Sequence, residues 1–446
     1  MPAMRRPGDI AMEPAVNTFR FLPRILACAL GLSATAPALV FGQLAPTPVP
    51  AQEGAAALPT PLGLADVVRL AGQRRAEVEA ANARVRAAEQ RPLIAAALPD
   101  PMVSPSLDHL PFMWGGVDVS VTIEQQLPLS GIRGHRRAAA LADIDRLRAE
   151  TTRTGLDVGL QAATAFLMLQ ERQRTQALLL EQLAFARDVV TAATARYAAG
   201  SAPQSDVLRA EVEVARFEAL TRSIVSDVRG AASMLATSLG LDPDTTLPPL
   251  EAAVVAERPL TWPALRAALF ARPELLTARA EIARADADLQ VMRDMFRPMA
   301  TIRTGPSYTM AEGKGWMAMV GVSLPIWRGK LRAGVAEAQA MRAMSEADLR
   351  AMTRMFEGEA ATAASQVQAW RDRQDALTTN VLPRARMAIA PALAGYGAGR
   401  LPLVSVIEVV QALWTVQTDV IAAEAELGLA LVRLGRAIGS YEEVLR

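Results

Sequence analysis

An internal repeat with a period of about 199 residues runs through this sequence of 446 residues. The segment from Tyr197 to Pro203 (YAAGSAP) recurs from Tyr396 to Pro402 (YGAGRLP), with tyrosine, glycine and proline in register. Upstream, residues 119–128 (VSVTIEQQLP) recur as residues 319–325 (MVGVSLP). Two motifs that recur in the same order indicate a duplication. Because the period is too long for a solenoid, each copy is expected to be a substantial unit that packs against its twin.

The composition favours long helices. Apolar residues make up 51% of the chain but aromatic residues only 4%, because alanine and leucine dominate. Alanine and leucine are the strongest helix formers, so this bias is typical of extended helical proteins. The net charge is only +1, which gives no basic field of the kind that binds nucleic acid.

Residues 1–42 are predicted to be a signal peptide. Four arginines precede an apolar run that extends from Ile25 to Phe41 and contains an Ala-Thr-Ala segment, which is the pattern of an export signal. Cys28 is the only cysteine, and it is either a lipidation site or is removed with the signal. Residues 43–63 are rich in proline, alanine and glycine and predict a disordered leader. No later stretch was expected to form a transmembrane helix.

Residues 64–240 are predicted to form the first structural repeat. A helical pattern covers residues 64–98, and two strands are expected at 101–109 and 117–127. In the second strand, valine and isoleucine alternate with polar residues that include Asp118 and Glu124. This alternation is typical of a membrane barrel with a wet lumen, and equally of an edge strand in a soluble sheet.

The run from Arg133 to Ala199 contains no proline and only three glycines. A continuous helix of this length would extend for about 100 Å, which no compact domain accommodates. A second helix is predicted at 204–239, and a non-helical connector at 241–260.

The second repeat, residues 261–446, follows the same plan. It predicts a helix at 262–297, strands at 299–310 and 317–324, and a tight loop at 312–315. A long helix at 332–394, with possible interruptions at Pro383 and Pro391, leads through a turn at 399–402 into a last helix that ends near residue 438. The fold class is therefore mainly α with a small β part.

These features resemble the TolC-type outer-membrane factors over essentially the whole mature chain. The resemblance rests on the duplicated helix-strand-strand-helix-helix order, on the Leu-Pro strand ends at Pro128 and Pro325, and on the two Tyr-x-x-Gly turns. Residues 99–102 (PDPM) and 320–330 (VGVSLPIWRGK) most resemble the branch that works with heavy-metal efflux pumps.

The resemblance implies a homotrimer in the outer membrane that extends into the periplasm. Each chain would give four strands to one transmembrane barrel of twelve, because four strands alone leave open edges that lipid does not tolerate. Long antiparallel helices would continue the barrel as a periplasmic α-barrel of coiled-coil character. The implied partners are outer-membrane lipid, a periplasmic adaptor and an inner-membrane RND-type transporter.

The resemblance also implies functional residues. The two turns would dock the adaptor at the periplasmic tip through Tyr197, Gly200, Tyr396 and Gly399, although glycine also ends helices routinely. Asp118 and Glu124 would face the barrel lumen. The family often carries two carboxylates three residues apart after the second turn, where rings of acid constrict the pore.

The positions that correspond to these carboxylates are Ser405 and Glu408, so one acid is missing. The equivalents in the first repeat are Asp206 and Arg209. We therefore expect a pore constriction built from Asp206 and Glu408, with a solvated helix face as the alternative.

The predicted function is a passive efflux duct for small molecules or metal ions, the latter including heavy metals such as copper, silver, cobalt, zinc or cadmium. Two alternatives are the duct of a type I protein secretion system and a soluble periplasmic coiled-coil scaffold. The only histidines, His109 and His135, lie in different predicted elements. We therefore expect no enzyme activity, no cofactor and no resident metal site.

Overall fold

The computed structural model describes residues 58–108, 118–251, 261–309 and 312–442. The predicted signal peptide 1–42, with Cys28, lies outside the described residues. So do the greater part of the leader, His109 and the end of the connector.

Ten α-helices, one π-helical turn and four strands make up the described chain. Their bounds follow in chain order: α1 Leu64–Arg74, α2 Ala76–Ala88, α3 Arg91–Ala96, β1 Met102–Asp108, β2 Asp118–Pro128, α4 Ile132–Ala198, α5 Gln204–Ser238, α6 Trp262–Leu269, α7 Pro273–Asp294, β3 Met299–Thr309, β4 Gly313–Ser323, α8 Arg328–Ala376, the π turn Leu377–Val381, α9 Leu382–Gly397 and α10 Leu403–Ile438.

The four strands form one antiparallel sheet in the order β1-β2-β3-β4. The two copies join at the centre of the sheet, where β2 pairs with β3 and Pro128 lies opposite Met299. In β2, Val119, Val121 and Ile123 are exposed, whereas Ser120 and Thr122 are buried. The predicted alternation of apolar and polar faces is therefore present in the structure.

The long helix predicted from Arg133 is α4, which runs without a break for 67 residues. At about 1.5 Å per residue, α4 separates the sheet from the turn at Gly200 by about 100 Å. Helix α4 packs against α5 and α7, and α10 packs against α8 and α4. The mainly helical fold with a small four-stranded sheet is confirmed.

Two predicted helices are broken where the sequence suggested continuity. Helix 262–297 divides into α6 and α7 at Arg272, which is extended (φ −58°, ψ 131°). The following Pro273 explains this break, because the residue before a proline disfavours the α conformation. The helix predicted at 64–98 is divided at Arg75, also extended, whose guanidinium donates to Glu77 at 2.9 Å.

Two further boundaries differ from the prediction. Strand β4 begins at Gly313 rather than at 317, so most of the predicted 312–315 loop is strand, and Gly315 pairs with Ser307. The second long helix begins at Arg328 and continues through Pro391. Its irregularity is the π turn, which ends immediately before Leu382 and Pro383. Because proline lacks an N–H group, Pro383 itself needs no acceptor where the hydrogen-bonding pattern changes.

The apolar core is distributed along the helices rather than gathered at one place. One cluster surrounds Phe166 between α1, α4, α5 and α10. A second surrounds Phe356 between α6, α7, α8 and α10. A third, which includes Ala193, Tyr396 and Val406, lies at the far end of the helices. Alanine is abundant in all three, and its short side chain allows adjacent helices to approach closely.

A partly buried ionic network joins the two copies. Arg436 of α10 donates to Asp157 of α4 and to Glu274 of α7, each at 2.6 Å. Burial opposes ionisation of Glu274, but hydrogen bonds from Arg272 and Arg436 outweigh it and lower the pKa of that carboxyl. The network fixes the order of these helices and hence the position of the helical ends.

Contrary to the expectation for the mature chain, one described helix is long and apolar enough to cross a membrane by length and composition. It is Leu403–Ile438, and only 17% of the window that qualifies is buried in the single chain, where most of its residues are half-buried. The prediction considered only uncharged stretches. Helix α10 did not meet that condition because it contains charged residues such as Glu408 and Asp419.

Candidate functional site at the helical tip

The two predicted tip turns have the same backbone structure. Helix α4 ends with the N–H of Gly200 bonded to the carbonyl of Tyr197 at 2.9 Å, and that of Ser201 bonded to Arg196 at 2.9 Å. The second turn repeats this pattern at Gly399. Gly200 and Gly399 have φ values of +69° and +71°. This is the Schellman arrangement, in which a left-handed glycine satisfies the last carbonyls of a helix.

A proline starts the next helix in both copies. Pro203 and Pro402 are extended, with φ/ψ of −76°/155° and −72°/157°, and α5 and α10 begin at the following residue. Proline fixes φ and needs no N–H partner there. The sequence motif thus dictates two matched hairpins.

The two tyrosines of the motif have different environments. Tyr197 is 47% exposed, whereas Tyr396 is 6% exposed and belongs to the tip core. The phenol oxygen of Tyr396 is buried and has no hydrogen-bond partner among the described residues. Burial raises the pKa of Tyr396, and the carboxylate of Asp206 raises it further. Asp206 therefore acts electrostatically on the phenol from the other hairpin.

Arg196 joins the two hairpins, and the sequence analysis did not identify it. Its guanidinium donates to the carbonyl of Tyr396 and to the carbonyl of Ser201 at 3.1 Å. The guanidinium carbon also lies 4.3 Å from the centre of the Tyr396 ring, within cation–π range. A basic residue in the last turn of α4, where the equivalent residue of the second copy is Gly395, was the available signal.

The predicted constriction residues lie in two different settings. Asp206 is in the first turn of α5, and its carboxylate is one cause of the raised pKa of Tyr396. Ser405, its equivalent in α10, is half-buried. Arg209 and Glu408 line one groove between α5 and α10, which we name the tip groove. The groove is also lined by Leu208, Val212, Glu213, Val404, Ile407 and Gln411.

An aromatic cluster lies beside the tip and holds three helices together. The ring of Trp414 in α10 meets Phe217 of α5 at 4.7 Å and Phe185 of α4 at 6.0 Å between ring centres, both edge to face. Gln411 donates to Glu213 at 3.2 Å across the same helices. These contacts give the turns a rigid support.

The predicted lumen residues lie far from the tip, at the sheet. Glu124 accepts two hydrogen bonds from Arg303 of β3, the one from Nε at 3.0 Å. Asp118 begins β2 opposite Asp108. Both acids alternate with the exposed Val119, Val121 and Ile123, so they lie on the polar face of β2. The ion pair with Arg303 could not be inferred without the strand register.

Within the ranges that the structure describes, no group of three or more His, Cys, Asp and Glu side chains is arranged to hold a metal ion. His135 lies 3.6 Å from the buried Asp294.

Comparison with known proteins identifies the fold. Residues 264–440 match the family described as outer membrane efflux protein. The protein is 27% identical over 336 residues to the pyoverdine export outer membrane protein OpmQ of Pseudomonas aeruginosa, covering 69% of this chain and 66%, just under two thirds, of that protein. The OpmQ of Pseudomonas putida is 24% identical over 84% of this chain and 85% of its own length.

Solved structures share the architecture. The outer-membrane channel OprN aligns with a TM-score of 0.72 at 19% identity, over 84% of this chain and 90% of its own. CusC gives 0.73 at 15% identity, over 84% and 92%. VceC of Vibrio cholerae gives 0.70 at 17% identity, over 85% and 96%. The fold is therefore that of channels with a helical barrel and a trimeric β-barrel.

The relatives do not single out the heavy-metal branch, because both are named for pyoverdine export. The second repeat is similar to the outer membrane efflux protein family, and the whole chain shares the fold of the outer-membrane channels. The protein lies in the outer membrane, with its helices in the periplasm.

Proposed function

We propose that this chain forms, as a homotrimer, the passive outer-membrane duct of a tripartite efflux system. A periplasmic adaptor would dock on the two tip turns, and an inner-membrane transporter of the RND type would supply the substrate and the energy. The observation that carries the proposal is the separation of two surfaces. A sheet with an exposed apolar face stands at one end of a 67-residue helix, and two matched turns stand at the other.

The tip turns suit docking because their backbone is accessible. An added Cβ at Gly200 would meet no atom within 4 Å, and at Gly399 only the guanidinium of Arg196 at 3.6 Å. A partner helix could therefore approach both glycines closely. Tyr197 offers an exposed ring beside the first glycine.

The gate would lie just inside these turns. Asp206 and Glu408, repeated by three chains, would place carboxylates around the axis, where they attract cations and narrow the pore. Arg209 shares the tip groove with Glu408, so a basic residue accompanies the acidic one. In this chain Asp206 and Glu408 would therefore take the place of two carboxylates three residues apart, one of which is missing at Ser405.

For the substrate we propose small molecules, with an iron-chelating siderophore as the first class to test. The support is the name of the two relatives, pyoverdine export proteins with 27% and 24% identity. Copper, silver, cobalt, zinc and cadmium ions form the second class, which follows from the sequence resemblance.

A deletion strain tests the function. It should retain siderophore in the periplasm, or become sensitive to the metal ions, and the wild-type gene should restore export. If protein secretion is lost while small-molecule export is unchanged, the secretion duct replaces this proposal. If the protein fractionates as a freely soluble periplasmic species, the scaffold does.

Cross-linking tests docking separately. Ser201→Cys and Arg400→Cys, adjacent to the two glycines, should form cross-links to the adaptor in cells through a short bifunctional reagent. Ser223→Cys, exposed on the middle of α5, is the matched control and should form none. Equal cross-linking at all three positions would contradict docking at the tip.

A further inference from the structure

All four strands are joined to helices at the same end of the sheet. Strand β2 leads into α4 after Pro128, and β4 leads into α8 after Ser323. Strands β1 and β3 begin there, since Met102 and Met299 follow α3 and α7. In an outer-membrane protein with periplasmic helices, this end is the periplasmic boundary of the membrane-spanning sheet.

Large apolar side chains are exposed at this boundary in both copies. Leu129 follows β2, and Leu324, Ile326 and Trp327 follow β4. Trp327 is 76% exposed. An exposed tryptophan next to the end of a spanning strand is typical of the level of the lipid head groups.

Six basic side chains follow directly after these apolar residues. All six are exposed. Arg133, Arg136 and Arg137 share one face of the first turns of α4 by their i, i+3, i+4 spacing. The basic collar, as we name the set, comprises Arg133, Arg136, Arg137, Arg328, Lys330 and Arg332.

Few acidic residues of the same chain lie near the collar to neutralise its positive charge. Residues 125–142 and 313–336 contain no aspartate or glutamate. Arg133 donates to the carbonyl of Ala96 at 2.7 Å, and none of the six forms an ion pair within the described part of the chain. At the same end, Asp100 is exposed, whereas Asp294 is buried beside His135 and Arg297.

The position of these charges opposes the helix dipole. Cations at a helix N-terminus are unfavourable, and neither α4 nor α8 has an acidic residue in its first turn. An acidic residue lies in the first turn of α1, α2, α5 and α7, and none lies in the first turn of α3, α6, α9 or α10. The collar is therefore placed where intramolecular electrostatics disfavour it, which indicates an external anion.

We propose that the basic collar binds the head groups of anionic phospholipids in the periplasmic leaflet of the outer membrane. The phosphate would lie against the arginines, and Trp327, Ile326 and Leu324 would contact the adjoining acyl region. Basic residues just outside a spanning segment attract anionic lipid in this way. The inference rests on the trimeric barrel of the proposed function, but it does not depend on the substrate or on the tip.

Native mass spectrometry of the purified trimer tests the proposal. Titration with phosphatidylglycerol and with phosphatidylethanolamine should show at least tenfold tighter binding of the anionic lipid. Replacing all six collar residues by Gln should remove this preference. A trimer variant with Arg86, Arg222, Arg229, Arg350, Arg384 and Arg386 replaced by Gln loses the same charge elsewhere on exposed positions, and should keep it.

Three outcomes would overturn the proposal. They are equal binding of both lipids by the wild-type protein, an unchanged preference in the collar variant, and loss of preference in the control variant. If the six-residue variant does not assemble, the variant with only Arg328, Lys330 and Arg332 replaced is used. A dissociated trimer in that second variant as well would show that a second copy of the chain, not lipid, covers the collar.

Discussion

The two tip turns have the same backbone but different side-chain environments. Both end a helix with a left-handed glycine and start the next with proline. In the first copy Tyr197 is open to solvent, whereas in the second Tyr396 is buried beneath Arg196. The duplication has thus preserved the turn while dividing the roles: the first copy supplies a clamp and the second is held by it.

Replacing the two tyrosines should give the largest difference in stability between the two hairpins. Tyr396→Ala should lower the local stability of the α9–α10 hairpin by about 3 kcal/mol, because a buried aromatic ring is removed. Tyr197→Ala should change the α4–α5 hairpin by less than about 0.5 kcal/mol. Hydrogen exchange at the two tips measures both, and 3 kcal/mol corresponds to about 100-fold faster exchange. Equal acceleration would show that the copies are equivalent.

Arg196→Ala should have the next largest effect. Loss of its two carbonyl hydrogen bonds and its contact with Tyr396 should destabilise the tip by about 2 kcal/mol, a value reduced for partial exposure. Single-channel recording in bilayers should show more frequent opening as the second hairpin is released. Arg187→Ala is the matched control, because this exposed arginine of α4 pairs with Glu218 at the surface and should contribute about 0.5 kcal/mol or less. Identical recordings from the two variants would show that Arg196 does not hold the second hairpin in place.

The glycines test the feature that the copies share. Gly200→Ala and Gly399→Ala should each cost about 1 kcal/mol, because an L side chain is strained at positive φ. The effects should be equal, since neither added Cβ meets an atom closer than 3.6 Å. Hydrogen exchange in each hairpin provides the comparison, and a cost confined to one copy would contradict a common backbone role.

The acidic residues should give the smallest effects. Asp206→Ala and Glu408→Ala should each weaken block of the open channel by multivalent cations about threefold, because screened charges in a wet pore contribute less than about 1 kcal/mol. Ser405→Ala, at the position where the acid is missing, is the control and should leave block unchanged. If neither acidic variant alters conductance or block, the two residues belong to a solvated helix face.

The sequence predicted the features that depend on local signals. A proline-free run of good helix formers specified α4 to within a residue at each end, and alternation specified the apolar face of β2. Glycine and proline specified the tip turns. In each case the information is contained within a few neighbouring residues, and the duplication supplied it twice.

Contacts between residues that are far apart in the sequence were not predicted. Arg196 and Tyr396 are 200 residues apart, and Glu124 and Arg303 are 179 apart. Their pairing depends on how the two copies pack and on the strand register, which no local pattern contains. The break at Pro273 was different in kind, because its signal, a proline within the predicted helix, was present in the sequence.

The π turn at Leu377–Val381 shows how a duplicated wall can tolerate copies of unequal length. From Pro128 to Tyr197 the chain advances 69 residues, but from Pro325 to Tyr396 it advances 71. In a straight α-helix the surplus would displace the second tip by about 3 Å and rotate it by about 200°. A wider turn absorbs part of such a surplus within one local bulge. One copy can therefore be longer than the other while Tyr396 still contacts Arg196. The π turn between the sheet and the tip keeps the two tip turns at the same level.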